Sequence, residues 1–397
     1  MSIHLYAEHL VNIRTLSIAA SLDTETTKDT KAVLAPDGAS LFLTHEGHTA
    51  RIDLPVSVPS GHNKAAFTLP SAPTKQLSFR IQLDEKSRDH PENGEVNRVD
   101  GDIIPWTAVS LTSGTELSCN SCNAVLLARD KIRIWKDLPS ENWAEMMDFW
   151  HCHRPDVPKD HDHKIPLKGY SAESRLAIQA GVGMVDPVDF VFAADDCTNL
   201  TNISSPNAIS DDAILQCSRC KTVVGQIHSS SEGYKLRKMH VSLSAEPGQP
   251  PISHESEKWL SCHLLSSIDT QGVRKFRIQS TDPNDTSVRI WIFTPDINIA
   301  SSKATDSKPM RAVKVFWADA APSQPGDEGK LNQQTLSEGE IELPVEEMEA
   351  LRRTLVRSAA LLPQGSRKFQ GWNVALLARF TGADVLGRPA QLPFRNA

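Results

Sequence analysis

Two C-x-x-C knuckles, Cys119-Asn120-Ser121-Cys122 and Cys217-Ser218-Arg219-Cys220, constrain this chain more than any other feature. A knuckle sets two thiolates on one tight turn, close enough to fill two corners of a zinc tetrahedron at about 2.3 Å each. Two knuckles therefore complete a closed, four-thiolate structural site. They lie about 95 residues apart, so the metal would join segments distant in sequence. Each is flanked by apolar residues (Val125-Leu126-Leu127; Val223-Val224-Gly225) that fit a β-ribbon. Buried free cysteines are the alternative. A redox C-x-x-C fits less well, because neither motif opens a helix in a βαβ unit.

Seven cysteines in 397 residues do not suggest a disulfide framework. The N-terminus, Met1-Ser2-Ile3-His4-Leu5-Tyr6-Ala7-Glu8, lacks a basic region followed by an apolar stretch, and is not a signal peptide. No apolar run approaches the roughly 18 residues a membrane helix needs. The expectation is a soluble protein of cytosol or nucleus, where thiols stay reduced and paired cysteines more often hold metal. The N-x-S/T sequons at Asn199, Asn202 and Asn284 are then chance matches. Forty-two basic against forty-nine acidic residues leave a net charge of −7. That argues against direct nucleic-acid binding through phosphate neutralisation.

The patterning predicts a β-rich α+β protein. An N-terminal β-sheet lobe covers 1–118, a zinc-knuckle middle region 119–253, and a C-terminal mixed α/β lobe 254–397. Residues 50–58 and 77–83 alternate apolar and polar, the period of strands with one buried face. Pro55 points to an edge strand. Pro36-Asp37-Gly38 reads as a turn. Strands are expected at Lys131–Trp135, Val273–Ile278, Val288–Phe293 and Val313–Trp317, with turns at 282–285 and Asp296-Ile297-Asn298. Residues 84–100, 155–168 and 319–339 read as polar loops or insertions. Ser140 can cap a helix whose Trp143, Met146, Met147 and Trp150 share a face. Pro155 ends it. The clearest helix starts at Pro344, carries Val345, Met348, Leu351, Leu355, Ala359 and Leu362 as one stripe, and stops before Pro363. No internal repeat stands out.

Cys152 lies just past the helix end, between His151 and His153, with Asp160-His161-Asp162-His163 soon after. Imidazoles beside a thiol lower its pKa and create a nucleophile. The electronegative helix end works against the thiolate. Three readings stay open: a reactive thiol, a metal ligand with His153 or a distal knuckle, or a partly buried structural thiol. Cys197 sits beside Asp195 and Asp196, whose charge should raise its pKa, and Cys262 follows Trp259-Leu260 as a core residue. Neither is expected to have a role.

Four stretches resemble the HECT-like ubiquitin ligases that bind a ubiquitin-conjugating enzyme. They are Cys119-x-x-Cys122 with its following strand; Leu138-Pro139-Ser140-Glu141-Asn142-Trp143 leading into Trp150-His151-Cys152-His153-Arg154-Pro155-Asp156; Cys217-x-Arg219-Cys220-Lys221 with Gly225; and Leu362-Pro363, Ser366-Arg367, Phe369-Gln370 and Val374-Ala375-Leu376-Leu377. Their order covers almost the whole chain. The resemblance implies a ubiquitin-protein ligase whose partners are a ubiquitin-conjugating enzyme and ubiquitin, accepting ubiquitin as a thioester and passing it to lysine. It also implies a link to the endonuclease that cleaves pre-mRNA 3′ ends, as a partner or stabilising factor. HECT ligases carry their acceptor cysteine near the C-terminus, whereas no cysteine follows Cys262 here. Within the resemblance, a thioester would form on Cys152, with His153 as base or orienting group. Cys152-His153 keeps the family's Cys-His pair. The position before it, a second cysteine in some relatives, is His151.

Overall fold

The computed structural model describes residues 3–58, 69–70, 72–83, 103–138, 178–203, 213–228, 233–282, 284–305, 308–320 and 338–385. The chain forms two compact units. One comprises Met1–Ile103, Ser256–Ile268 and Val273–Ala397; the other comprises Ile104–Glu255 and Asp269–Gly272.

In the first unit a nine-stranded sheet runs in the order Lys368–Phe369, Trp372–Ala378, Met310–Ala320, Ser287–Ser301, Ile3–Leu10, Thr15–Leu22, Gln76–Gln82. Lys275–Ser280 pairs antiparallel with the first half of Ser287–Ser301, and Glu338–Leu343 runs parallel to it. Segments expected as separate N- and C-terminal lobes thus share one sheet, joined by the pairing of Tyr6–His9 with Asn298–Ser301. Period-2 geometry explains why Ile3–Leu10 is apolar at successive positions. Leu5 and Ala7 enter a core with Leu16, Ile18, Phe79 and Ile81, while Tyr6 enters another with Ile297, Phe316 and Leu376.

A smaller sheet of Lys31–Leu34, Ser40–His45 and His48–Asp53 contributes Leu41, Leu43 and Ile52 to the first of these cores. Pro55 lies beyond its edge strand His48–Asp53. The Pro36-Asp37-Gly38 turn joins its first two strands. Gly38 has φ +68°, and a Cβ there would fall on the backbone carbonyl of Val58, so the turn needs glycine.

Asp296-Ile297-Asn298, read as a turn, lies inside the fifteen-residue strand Ser287–Ser301. The strand absorbs the local signal as register shifts at Ile292/Thr294 and Thr294/Ile297. Helix Val345–Ser358 follows Pro344 and buries Met348, Leu351 and Leu355, packing on strands Trp372–Ala378 and Lys275–Ser280. A second helix, Ser256–Gln271, buries Trp259, Leu260, Cys262 and Leu264. Its Glu257 accepts the Ala378 N–H at 2.7 Å and the Arg357 guanidinium at 2.8 Å, and Ser261 donates to the Ala378 carbonyl.

The second unit holds a seven-stranded sheet, ordered Leu200–Ile203, Ile214–Cys217, Val223–His228, Gly233–Arg237, Asp189–Phe192, Val182–Val185, Ile134–Asp137. A three-stranded sheet orders Val241–Ser244, Glu116–Cys119, Val125–Leu127. Aromatic rings fill part of the unit, with Trp135 edge-on to Phe192 at 5.8 Å and Phe190 stacked on Phe192 at 5.9 Å. Among the described residues, no helix is long and apolar enough to cross a membrane. The helix expected to start at Ser140 lies outside the described residues.

Candidate metal centre

The four knuckle cysteines converge. Their sulfurs all lie within 4.8 Å of one another; Cys119 Sγ is 3.6 Å from Cys220 Sγ, and Cys122 Sγ is 3.6 Å from Cys217 Sγ. A disulfide needs about 2.05 Å, so these are free thiols. Four sulfurs at about 2.3 Å around a tetrahedral ion would be about 3.8 Å apart. The cluster is within a few tenths of an ångström of that at its two short edges. It is compatible with a metal site.

The convergence comes from two copies of one small module. Leu117-Ser118-Cys119-x-x-Cys122-x-x-Val125 and Leu215-Gln216-Cys217-x-x-Cys220-x-x-Val223 match position by position. In each, the N–H four residues after the first cysteine donates to that cysteine's carbonyl, Asn123 to Cys119 at 2.8 Å and Lys221 to Cys217 at 2.9 Å. The first cysteine's own N–H donates to the carbonyl five residues on, at Ala124 and at Thr222. Asn123 and Lys221 take left-handed φ values of +57° and +62° to close the turn. Each hairpin shifts register just before its first cysteine, between Leu117/Ser118 and between Leu215/Gln216. A third strand flanks each hairpin, pairing Val241 with Cys119 and Leu200 with Cys217. The carbonyls just before these strands, of His240 and Asn199, accept the N–H of Asn120 and of Ser218. The chain therefore does contain a local repeat. Its signal was Leu-x-Cys-x-x-Cys-x-x-Val, too short to register beside unrelated flanks.

Bonds between the modules hold the sulfurs together. The Asn199 side-chain amide donates to the Val125 carbonyl at 2.8 Å, the Thr198 N–H to Leu126 at 2.8 Å, and Leu127 bridges Cys197. The leucines beneath, Leu117 and Leu215, are fully buried. Cys119 and Cys217 are buried, whereas Cys122 and Cys220 are half-exposed.

Electrostatics favour a cation here. Taken as a thiol, Cys119 is pushed up to about 12 by burial, although the N–H groups of Ser121 and Cys122 point at its sulfur. The Thr222 hydroxyl, 3.3 Å from the sulfur, and the Thr222 N–H draw Cys220 down to about 6. Thiols packed this closely cannot all ionise beside one another, and a divalent ion among them removes that repulsion and keeps them deprotonated. An all-sulfur tetrahedral donor set is that of zinc or an iron–sulfur centre, with no vacant corner for a substrate.

Among the described residues, two further cysteines lie outside this cluster. Cys197 is half-buried, its thiol raised to about 12 by burial and by Asp196, and Cys262 is buried in helix Ser256–Gln271. Cys152 and His153 lie outside the described residues.

Residues 8–374 match the family described as HECT-like ubiquitin-conjugating enzyme (E2)-binding. The chain belongs to that family. Among relatives of this chain, an uncharacterised Saccharomyces cerevisiae protein is 25% identical over 304 residues, covering 76% of this chain and 79% of the relative. A similarly uncharacterised Schizosaccharomyces pombe protein is 25% identical over 294 residues, covering 70% of this chain and 78% of the relative. A Homo sapiens protein named as an E3 ubiquitin-protein ligase is 23% identical over 286 residues, covering 65% of this chain and 71% of the relative. No solved structure matches the chain.

Proposed function

We propose that this protein is a ubiquitin-protein ligase that binds a ubiquitin-conjugating enzyme and promotes ubiquitin transfer to protein lysines, with one structural zinc on Cys119, Cys122, Cys217 and Cys220. Membership of an E2-binding family across residues 8–374 carries the reading. The ligase name of the human relative and the four-thiolate cluster support it. The zinc is assigned a folding role, because all four of its corners are filled by protein.

In the transfer step, the Cys152 thiolate attacks the thioester carbonyl of the charged conjugating enzyme. A ubiquitin–Cys152 thioester forms and the enzyme's cysteine leaves as a thiolate. A substrate lysine amine then attacks the new thioester, forming the isopeptide bond and releasing Cys152. His153 removes the Cys152 thiol proton before the first attack and passes it to the departing enzyme thiolate. It then takes the proton shed by the attacking lysine amine and returns it to Cys152. Cytosol or nucleus is the proposed location.

A second reading is an assembly factor for the pre-mRNA 3′-end endonuclease that recruits a conjugating enzyme without carrying ubiquitin itself. The matched family is described by conjugating-enzyme binding and not by an acceptor cysteine, which supports this reading. One experiment separates the two. A conjugating enzyme is charged with ubiquitin and mixed with the full chain, and a reductant-sensitive ubiquitin adduct is sought on denaturing gels. The transferase reading expects the adduct in the natural protein and its loss in Cys152→Ser. No adduct from a protein that still binds the conjugating enzyme selects the assembly reading. No binding to any charged conjugating enzyme overturns both.

A further inference from the structure

The nine-stranded sheet carries an open aromatic surface that neither the metal centre nor the transfer chemistry uses. Lys275, Trp291, Phe316 and Val374 form one cross-strand row over four adjacent strands. Phe316 is buried between two other rings. Phe293 stacks on it at 4.6 Å and Phe369 at 5.1 Å, each 24° from parallel. Trp291 meets Phe293 edge-on at 5.5 Å, and Trp372 pairs across the edge with Phe369. The two outer rings remain open to solvent, Phe293 at 44% and Phe369 at 42% exposure. Phe369 also lies on a two-residue edge strand. Phe316 roots the stack in the core of Tyr6, Ile297 and Leu376, and the two outer rings extend beyond that core into solvent, as interface anchors do.

Cations border the rings. The Lys275 ammonium lies 5.1 Å from the Trp291 ring centre, the Arg289 guanidinium 5.6 Å from that of Trp372, and exposed Lys368 precedes Phe369. Glu338 answers Arg289 by an ion pair. This basic rim stands out on a chain of net charge −7. An aromatic centre inside a charged rim is the anatomy of a protein interface, and the rim's sign selects the partner.

We propose that this surface docks an acidic protein segment, with an apolar side chain seated against Phe293 and Phe369 and flanking carboxylates on Lys275 and Lys368. A second copy of the chain would set like cations face to face. A nucleic acid would need more phosphate-neutralising groups than this rim offers on an acidic protein. The proposal stands apart from ubiquitin transfer and needs no conjugating enzyme.

Its test uses the full chain and a fluorescein-labelled Asp-Asp-Leu-Phe-Asp-Asp peptide, read by anisotropy. Saturable binding is expected below about 1 mM, and it should weaken with added salt. Affinity should fall about tenfold or more in Phe293→Ala/Phe369→Ala. Lys275→Glu/Lys368→Glu keeps the rings, hence the fold, and should lose binding to a similar extent. The proposal is overturned by an absence of saturation, or by unchanged affinity in the charge-reversed variant. Equal binding of a Lys-Lys-Leu-Phe-Lys-Lys control, or tighter binding of a labelled oligouridylate, overturns it too.

Discussion

At the scale of single residues, the chemistry depends on which polar groups the fold takes out of water. Asp186 shows this away from the metal. Burial, and then the charge of Asp189, raise its carboxyl to about 6, while the N–H groups of Val188 and Asp189 donate to Oδ1 at 2.7 and 2.6 Å. A carboxyl whose folded pKa is raised binds its proton more tightly when folded. Its contribution is therefore full below the ordinary carboxylate pKa and is lost as pH rises through about 6. Asp186→Asn keeps the acceptor oxygen and removes the charge. Urea melts at pH 4.5 and 7.5 should show the variant more stable than the natural protein at the higher pH, with a smaller difference between the two. An equal pH response in both proteins would contradict this account. The sequence carried no sign of it, because Asp186-Pro187-Val188-Asp189 looks like any acidic turn until its burial is known. The cysteines were legible for the opposite reason: their ligating geometry is local, written into a spacing of two residues.

At the scale of elements, the cysteine cluster is built by hairpins that repeat, and their close packing is a testable constraint. Gly225 stands eight residues after Cys217 and pairs with Leu215 and Leu236. A Cβ there would fall inside the Lys235 backbone carbonyl, so the neighbouring strand has to move. Gly225→Ala should destabilise the protein by about 1–3 kcal/mol, as overpacking of a filled interior does. Thermal or urea unfolding measures it, and a neutral result would mean that the hairpin has more room than its geometry shows. Helix Val345–Ser358 was legible from its stripe and its flanking prolines. The long strand Ser287–Ser301 was not, because Met310–Ala320 pairs with Ile297 and Asn298, and Ile3–Leu10 joins from the other side at Asn298, despite the local turn signal. Such neighbours outweigh propensity, and they come from distant parts of the chain.

At the scale of the molecule, the same non-locality hid how the ends combine. Ile3–Leu10 pairs with Ser287–Ser301 across almost three hundred residues, a contact that no window of sequence contains. The β-rich character and the knuckles could be read directly; the joining of N- and C-terminal strands into one sheet could not. The two units also predict a divided response to metal removal. The sulfurs organise the hairpins Glu116–Leu127 and Ile214–His228, whereas the core around Leu5, Leu16 and Phe79 contains no cysteine. After chelation, hydrogen exchange should quicken in those hairpins and stay slow in Ile3–Leu10 and Thr15–Leu22. Uniform loss of protection would mean that the metal supports the whole chain.

The zinc proposed for the two knuckles, which lie far apart in sequence, is tested most directly by metal content per chain. Elemental analysis of the purified full chain should give one zinc, lost in Cys119→Ser and in Cys217→Ser and retained in Cys197→Ser. A natural protein with well under one zinc per chain, or a full complement surviving in both knuckle variants, would contradict it.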